Sequence, residues 1–244
     1  MVQKKQPKRI TAWSYSRYAD YKQCPLKAKL KHIDKIQEPP NAAMARGGEL
    51  GKKIEAYIKG QLTKLPPEFK PVAAKAKLLR EKFKKKLLPV VVEDSWAMTR
   101  EWARTVWNDW DNCWLRVKVD AAYHEDEETL DLTDWKSGKF RQEMNDDYVE
   151  QLELYALSAL VLMPHLKKVR VCLEYFDQGL TYPPKDKPME FTQADVPKLK
   201  KLWEKRVKPM MADTKFAPRP NDKCCWCFYG QSGKAKGGPG LCKF

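Results

Sequence analysis

Two aspartates and a lysine near the middle of the chain have the residue types and spacing that hydrolytic chemistry requires. Asp120 lies near the end of one predicted strand, and Asp134 and Lys136 lie near the end of the next. Residues two apart in a strand project from the same face, so Asp134 and Lys136 point together while Trp135 points away. Two carboxylates and an ammonium at one edge suit a divalent metal ion and a water that attacks a phosphodiester. On spacing alone, an exposed hairpin with ordinary surface charges explains these residues equally well.

The elements that must position these residues follow from the hydrophobic pattern. A turn over residues 124–128 would bring a strand over 113–123 beside a strand over 129–136. An apolar helix is predicted over 148–163 and a strand over 169–176. The pattern also predicts helices over 14–24, 42–60, 72–88 and 193–211, strands over 90–93 and 97–105, and loops over 179–188 and after 218. Residues 26–36 fit either a helix or an extended segment, and residues 1–10 a flexible basic arm. This order predicts a single α/β domain with a mixed sheet.

Composition and charge favour a folded protein with a polyanionic partner. The chain has 244 residues, of which 43% are hydrophobic, so it can bury a core. Its 47 Lys and Arg against 32 Asp and Glu give a net charge of +15, which favours nucleic acid first and an anionic membrane surface second. No run of about 18 apolar residues is present, which argues against the membrane. The first residues lack the apolar core of a signal peptide, so we expect a cytoplasmic protein with reduced thiols. Most of the tryptophans between residues 96 and 114 are expected in the core rather than stacked on bases.

The seven cysteines need an explanation other than disulfides. Cys113 and Cys172 lie in apolar runs and are expected to be buried core thiols. Four of the other five lie in the last 21 residues. Thiolates at Cys24, Cys224, Cys227 and Cys242 suit zinc or an iron–sulfur cluster, and the absence of any metal is a third alternative.

The helix that follows the Asp-x-Lys strand carries Gln151 and Tyr155, four residues apart and therefore on one face. Together these motifs resemble the RecB-like branch of the PD-(D/E)xK nuclease superfamily. The matching segments are residues 46–55, Val119-Asp120, residues 131–139 and residues 151–155, which span about the central half of the chain. The resemblance implies a restriction-endonuclease-like core over 42–211 with a central mixed β-sheet flanked by helices. Residues 1–41 and 212–244 would be the N-terminal and cysteine-rich C-terminal segments of one nuclease domain over 1–244.

The resemblance also implies a role for each matching residue. Asp120 and Asp134 would ligate magnesium or manganese. Lys136 would orient or activate the water and stabilise the charge that develops on the phosphate. Gln151 and Tyr155 would hold the DNA backbone or the active-site lysine.

One position departs from the family pattern. The first motif usually runs Arg-Gly-x-x-x-His-x-x-x-Glu, and its metal-ligating His position falls here on Gly51. Glu55, at the end of that motif, would support the metal site. Three explanations stay open: a weakened metal site, a natural variant that uses Glu55 or Glu49, or a chain altered to silence cleavage. Glu93 lies in a strand-like run where relatives often carry Glu, and no role is assigned to it.

The cysteine spacing is similar to that of RecB-like nucleases, including AddB and CRISPR-associated relatives, that carry one Cys before the core and three after it. In those proteins the four thiolates bind a 4Fe–4S cluster that joins the two termini. The resemblance implies such a cluster at Cys24, Cys224, Cys227 and Cys242, with zinc as the alternative. The long gap before Cys242 departs from the pattern, and Cys225 is a spare thiol that could replace a neighbour.

The function implied is that of a metal-dependent DNA exonuclease that hydrolyses DNA ends or single strands in recombination, repair or phage replication. DNA would be its partner, with a recombination or replication protein as a second partner, in a bacterial or phage-infected cytoplasm. Two alternatives stay open: a cleavage-deficient DNA-binding module joined by an iron–sulfur cluster, and a zinc-stabilised RNA-binding protein.

Overall fold

The computed structural model describes residues 9–244, so most of the predicted basic arm over 1–10 lies outside the described residues. The chain divides into two compact units, one of Met1–Pro39 with Leu202–Phe244 and one of Pro40–Lys201. The helices are α1 (Tyr15–Gln23), α2 (Pro25–His32), α3 (Ala42–Ile58), α4 (Ala73–Lys85), α5 (Asn145–Leu162) and α6 (Val196–Ala212). The strands are β1 (Val90–Met98), β2 (Arg104–Thr105), β3 (Leu115–His124), β4 (Thr129–Lys136), β5 (Lys168–Tyr175), β6 (Leu180–Tyr182) and β7 (Met189–Thr192). The organisation as one nuclease domain stays a prediction.

The larger unit is built on a seven-stranded mixed sheet. Its strand order is β2-β1-β3-β4-β5-β6, and β7 pairs with the remaining part of β5. The pair β4–β5 is parallel and the other pairs are antiparallel. A parallel pair needs a crossover connection, and here α5 supplies it. The predicted mixed α/β fold with a central mixed sheet flanked by helices is confirmed.

Alternation along the strands divides the sheet into two faces with different helices. Ala121, Tyr123 and Trp135 belong to one hydrophobic cluster together with the apolar residues of α3 and α4. The side chains at the alternate positions project from the opposite face, which α5 covers. This arrangement puts Asp120 and Asp134 on the α5 face, because each is adjacent in sequence to a member of the cluster on the other face.

Two predicted elements were wrong. The predicted strand over 97–105 is the end of β1, a tight turn and β2, because Trp102 takes a left-handed φ of 64° that reverses the chain. The turn is closed by Thr99 N donating to Ala103 O at 2.9 Å. The predicted loop over 179–188 contains β6, which pairs with the end of β5 and extends the sheet.

The helix predictions were closer. Each predicted helix is present, and the ambiguous segment over 26–36 forms α2 over Pro25–His32. α1 begins after Ser14, whose Oγ accepts a hydrogen bond from Arg17 N at 3.4 Å. It ends at Gln23, and the extended Cys24 separates it from Pro25, which starts α2 because proline has no N–H to continue a preceding helix.

The smaller unit has an aromatic core of its own. Trp13 and Trp203 stack with ring centroids 5.4 Å apart, and Tyr18 packs edge-on against Trp203. Both tryptophans are fully buried. An aromatic cluster of this size supplies apolar area and ring contacts that hold α1 against α6.

The predicted burial of the other tryptophans and of two cysteines is correct for some of these residues and not for others. Trp96, Trp102 and Trp114 are buried, as predicted, and so is Cys113. The other predicted core thiol, Cys172, is only half-buried. Trp110 is 74% exposed, so it is an exception to the predicted core packing.

Candidate active site

The paired strands β3 and β4 bring the two aspartates together. The ladder pairs Ala121 with Thr133, so Asp120 and Asp134 are opposite each other at the next position. Asp120 Oδ2 accepts a hydrogen bond of 2.8 Å from the backbone N–H of Trp135. The Trp135 side chain packs in the cluster on the other face, which fixes the orientation of that N–H. Both carboxylates therefore lie on one face of the sheet, toward α5.

A buried network fixes Asp134 and Lys136. Asp134 is 4% exposed, and Tyr155 O–H donates to its Oδ1 at 2.9 Å. Lys136 Nζ lies 2.5 Å from Asp134 Oδ2 and donates to Gln151 Oε1 at 3.2 Å. Gln151 Nε2 donates to the Tyr155 hydroxyl at 2.8 Å. One turn of α5 thus contacts both residues of the Asp-x-Lys motif through hydrogen bonds from Tyr155 and to Gln151.

Burial and the close approach of the two carboxylates shift the pKa values of the ionisable groups on this face. Burial, followed by the nearby Asp134 carboxylate, raises the pKa of Asp120 to about 8. Burial would lower the pKa of Lys136, but the carboxylates of Asp134 and Asp120 together raise it above its ordinary value. Burial and Asp134 together raise the pKa of the Tyr155 hydroxyl well above its ordinary value, so it stays a hydrogen-bond donor. A cation bound beside Asp120 would favour its ionised form and lower its pKa.

Helix α3, which carries the first family motif, brings a glycine rather than a histidine to the site. Gly51 lies in the middle of α3, and a Cβ added there would contact only Glu93 Oε1, at 3.9 Å. Glu55 is paired with Lys59 at 2.6 Å. Glu49, the other predicted substitute, is paired with Lys53 at 2.8 Å.

Glu93 lies in β1, and the sequence motifs assign no role to it. Burial, followed by the Glu55 carboxylate, raises the pKa of Glu93, and Asp134 contributes in the same direction. Glu93 in turn contributes to the raised pKa of Asp120. The available signal in the sequence was a glutamate that ends the β-branched run at residues 90–93. That signal was too weak to assign a role, because a glutamate at the end of a β-branched run does not show that α3 packs beside it.

The oxygen donors present fit a hard divalent cation. Within residues 9–244, no group of three or more His, Cys, Asp or Glu side chains converges closely enough to hold a metal ion as it stands. However, Asp134 Oδ2 is buried without a hydrogen bond from any described residue, and its close contact is the Lys136 ammonium. Carboxylate oxygens with unused lone pairs are the ligands that magnesium and manganese prefer. The roles of Asp120, Asp134, Lys136, Gln151, Tyr155 and Glu55 stay predictions.

The smaller unit brings four cysteines from the two ends of the chain to one cavity. Cys24, Cys224, Cys227 and Cys242 all line it, whereas Cys225 does not. All four are free thiols. Backbone N–H groups point at two of the sulfurs: Arg219 N donates to Cys24 Sγ at 3.4 Å and Asn221 N to Cys224 Sγ at 3.3 Å.

These thiols fit a four-cysteine metal site. Four sulfur donors around one cavity match the ligand set of zinc and of a 4Fe–4S cluster, and N–H groups aimed at sulfur stabilise bound thiolates. The spare Cys225 is exposed, and its thiol donates to Asp222 O at 3.0 Å. The predicted cluster is not shown, and it stays a prediction.

Comparison with known proteins gives a family for most of the chain. The sequence model described as "PD-(D/E)XK nuclease superfamily" matches residues 12–232. One similar solved structure, titled "Crystal structure of SSO0001", is 13% identical, with 91% of this chain and 84% of that chain covered and a TM-score of 0.42. No curated protein matches the chain significantly. No helix within residues 9–244 is long and apolar enough to cross a membrane.

Proposed function

We propose, because this chain belongs to the PD-(D/E)XK nuclease superfamily, that it is a DNA nuclease dependent on magnesium or manganese. The observation that carries the proposal is the pair of opposed carboxylates, Asp120 and Asp134, with Lys136 held 2.5 Å from the second of them. The net charge of +15 favours a polyanionic substrate.

Each residue of the candidate site would have a distinct role in hydrolysis. Asp120 and Asp134 would hold the divalent ion, which when bound supplies an activated water and neutralises the scissile phosphate. Lys136 would orient that water and stabilise the charge that develops on the phosphate oxygens. Gln151 and Tyr155 would keep Asp134 and Lys136 in their productive rotamers, since each donates to or accepts from one of them. Preorganisation of this kind is what makes electrostatic catalysis effective.

Cleavage of labelled DNA tests the activity. Wild-type protein should degrade DNA with magnesium or manganese, and Asp134→Ala and Lys136→Ala should each lower the rate by at least a hundredfold, the scale at which one transition-state contact acts. Lys167→Ala is the matched control, because Lys167 is exposed and pairs with Glu128, which precedes the start of β4, whereas Asp134 and Lys136 lie at the end of that strand. Equal rates in wild type and both site variants would refute the proposal.

We further propose that the activity is exonucleolytic, on DNA ends or single strands in recombination, repair or phage replication. Covalently closed circular DNA, both duplex and single-stranded, discriminates this mode from internal cleavage. An exonuclease leaves the circles intact and degrades the same DNA after linearisation. Degradation of both circles at the linear rate would contradict the exonuclease assignment and leave the nuclease assignment standing.

The cleavage-deficient DNA-binding module is the second candidate, and Gly51 is the observation that favours it. In that case the wild-type protein binds DNA and does not cleave it with either metal. Efficient cleavage by the unaltered chain would exclude this candidate.

We propose that Cys24, Cys224, Cys227 and Cys242 bind a 4Fe–4S cluster that joins the two ends of the smaller unit. The cavity they share supports this proposal. Anaerobically purified protein should be brown and contain about four iron atoms per chain. Cys224→Ser should lose the colour, whereas Cys225→Ser should keep it. Zinc without iron would favour the zinc alternative, including a zinc-stabilised RNA-binding protein if RNA is bound in preference to DNA.

A further inference from the structure

We propose that a cavity on the face of the sheet opposite Asp120 and Asp134 binds a small zwitterion with an α-amino acid head group. The ammonium of this ligand pairs with Glu174, and its carboxylate pairs with Lys75 and Lys185. The site is independent of the proposed nuclease activity, because the sheet separates it from the candidate active site.

The cavity lies within the larger unit, between helix α4 and strands β4 to β7. It is lined by Tyr123, which belongs to the apolar cluster of α3 and α4. Asp131 also lines it, and Asp131 projects from the same face as Trp135 because the two are four residues apart in β4. The volume is about 540 Å³, within the range of about 300–1,000 Å³ that is typical of small-molecule sites.

Strand β5 supplies the floor of the cavity through its alternate residues Arg170, Cys172 and Glu174. The end at Arg170 is neutralised within the protein. Arg170 Nε donates to Glu190 Oε1 at 2.8 Å, and Arg170 Nη1 lies 3.6 Å from Asp131 Oδ2. The rise of a strand puts Glu174 about 13 Å from Arg170, so Glu174 is at the opposite end of the floor.

Glu174 is a buried carboxylate with an oxygen left to bind a ligand. It is 3% exposed, and its Oε2 accepts a hydrogen bond from Thr181 Oγ1 at 3.0 Å. Among residues 9–244, nothing donates to its Oε1 and no cation forms an ion pair with it. Burial raises the pKa of Glu174, because a carboxylate out of water is unfavourable without a partner. The ammonium of a ligand would supply that partner.

Two lysines border the cavity beside Glu174. Lys75 comes from α4 and Lys185 from the loop between β6 and β7, and both ammonium groups are close enough to lower the pKa of Glu174. Lys75 Nζ lies 5.1 Å from the centre of the Tyr123 ring. Within the described part of the chain, neither lysine forms an ion pair with a carboxylate. One free carboxylate beside two free ammonium groups is complementary to a ligand that carries both charges on neighbouring atoms.

The rest of the cavity suits the side chain of such a ligand. Leu78, Pro183 and Pro188 line it, and Cys172 lies in the middle of its floor. Apolar walls with a few charged groups at one end are typical of sites that orient a small molecule by its head group.

Isothermal titration calorimetry of the full chain with each standard amino acid tests the proposal. At least one should bind, with one molecule per chain. For the amino acid that binds most tightly, the N-acetyl derivative lacks the ammonium and the carboxamide lacks the carboxylate. Each derivative should bind at least tenfold more weakly, as the loss of a charged hydrogen bond requires.

Variants locate the bound molecule. Glu174→Gln and Lys75→Met should each weaken binding at least tenfold, whereas Lys77→Met should bind like wild type, because Lys77 is an exposed residue of α4 outside the cavity. In Glu174→Gln the cost of N-acetylation should shrink, since the carboxylate that binds the ammonium is already gone. Lys185→Met should weaken binding as well, and its place in an exposed loop keeps the test open if a buried variant fails to fold. Circular dichroism spectra that match wild type establish folding.

Two results would overturn the proposal. One is a wild-type protein that binds no standard amino acid in the millimolar range. The other is an amino acid that binds equally well, within twofold, to wild type and to the folded Glu174→Gln and Lys185→Met proteins, because it would then bind elsewhere.

Discussion

Replacing Asp120 with asparagine should remove a pH dependence from the stability of the metal-free protein. Asp120 is largely buried opposite Asp134, and burial, then that carboxylate, raises its pKa from the ordinary 3.8 to about 8. Between those values the folded chain holds a proton on Asp120 that the unfolded chain has released. The free energy of unfolding of the metal-free wild type therefore falls as the pH rises through this window.

The magnitude follows from the two pKa values. One proton bound in the folded state and released in the unfolded state changes the free energy of unfolding by about 1.4 kcal/mol per pH unit. In Asp120→Asn the amide has the same shape, can still accept the Trp135 N–H and carries no proton to lose. The variant should therefore become progressively more stable than wild type as the pH rises.

Urea unfolding at half-unit intervals from pH 5 to 8, with a chelator present, measures this difference. The stability of the variant minus that of wild type should increase with a slope of about 1.4 kcal/mol per pH unit. Added manganese should stabilise wild type at pH 8 and have a much smaller effect on the variant. Parallel stability curves across this range would refute the argument that Asp120 holds a proton in the metal-free fold.

Three further substitutions test other parts of the structure. Tyr155→Phe removes the 2.9 Å hydrogen bond to Asp134 and should lower the free energy of unfolding by about 1.5–3 kcal/mol, measured by urea unfolding; a loss below about 0.5 kcal/mol would contradict the network. Trp203→Ala should cost about 3–5 kcal/mol because Trp203 is fully buried, whereas the exposed Trp110→Ala should change the thermal midpoint little; equal effects would argue against the aromatic core. Asp20→Asn breaks a cluster of two lysines and a histidine and should cost about 3–5 kcal/mol at pH 7. Burial opposes ionisation of Asp20, but the hydrogen bond with His32 and the two lysines hold its pKa well below 3.8. The difference should therefore be present above about pH 4 and shrink as the pH falls further; a difference independent of pH would contradict this origin.

Much of the fold was predictable because its signals are local. The period of two in residues 129–136 predicted β4 with its observed bounds, and the apolar pattern predicted α5 to within three residues at its start. The errors occurred where a single backbone angle decides the outcome. Trp102 turns the chain with a left-handed φ, a conformation rare enough for tryptophan that no sequence pattern predicts it.

By itself, the sequence determined which face of each element the proposed catalytic residues share. Residues 134 and 136 are two apart in a strand, and residues 151 and 155 are four apart in a helix, so geometry within one element fixes their common direction. The tertiary structure decided which elements meet. It brought Gly51 of α3 against Glu93 of β1, and it gathered Cys24 with three cysteines from the far end of the chain around one cavity. The physical reason is that periodicity is encoded within a few consecutive residues, whereas long-range neighbours depend on how the buried apolar faces of the helices and the sheet pack together.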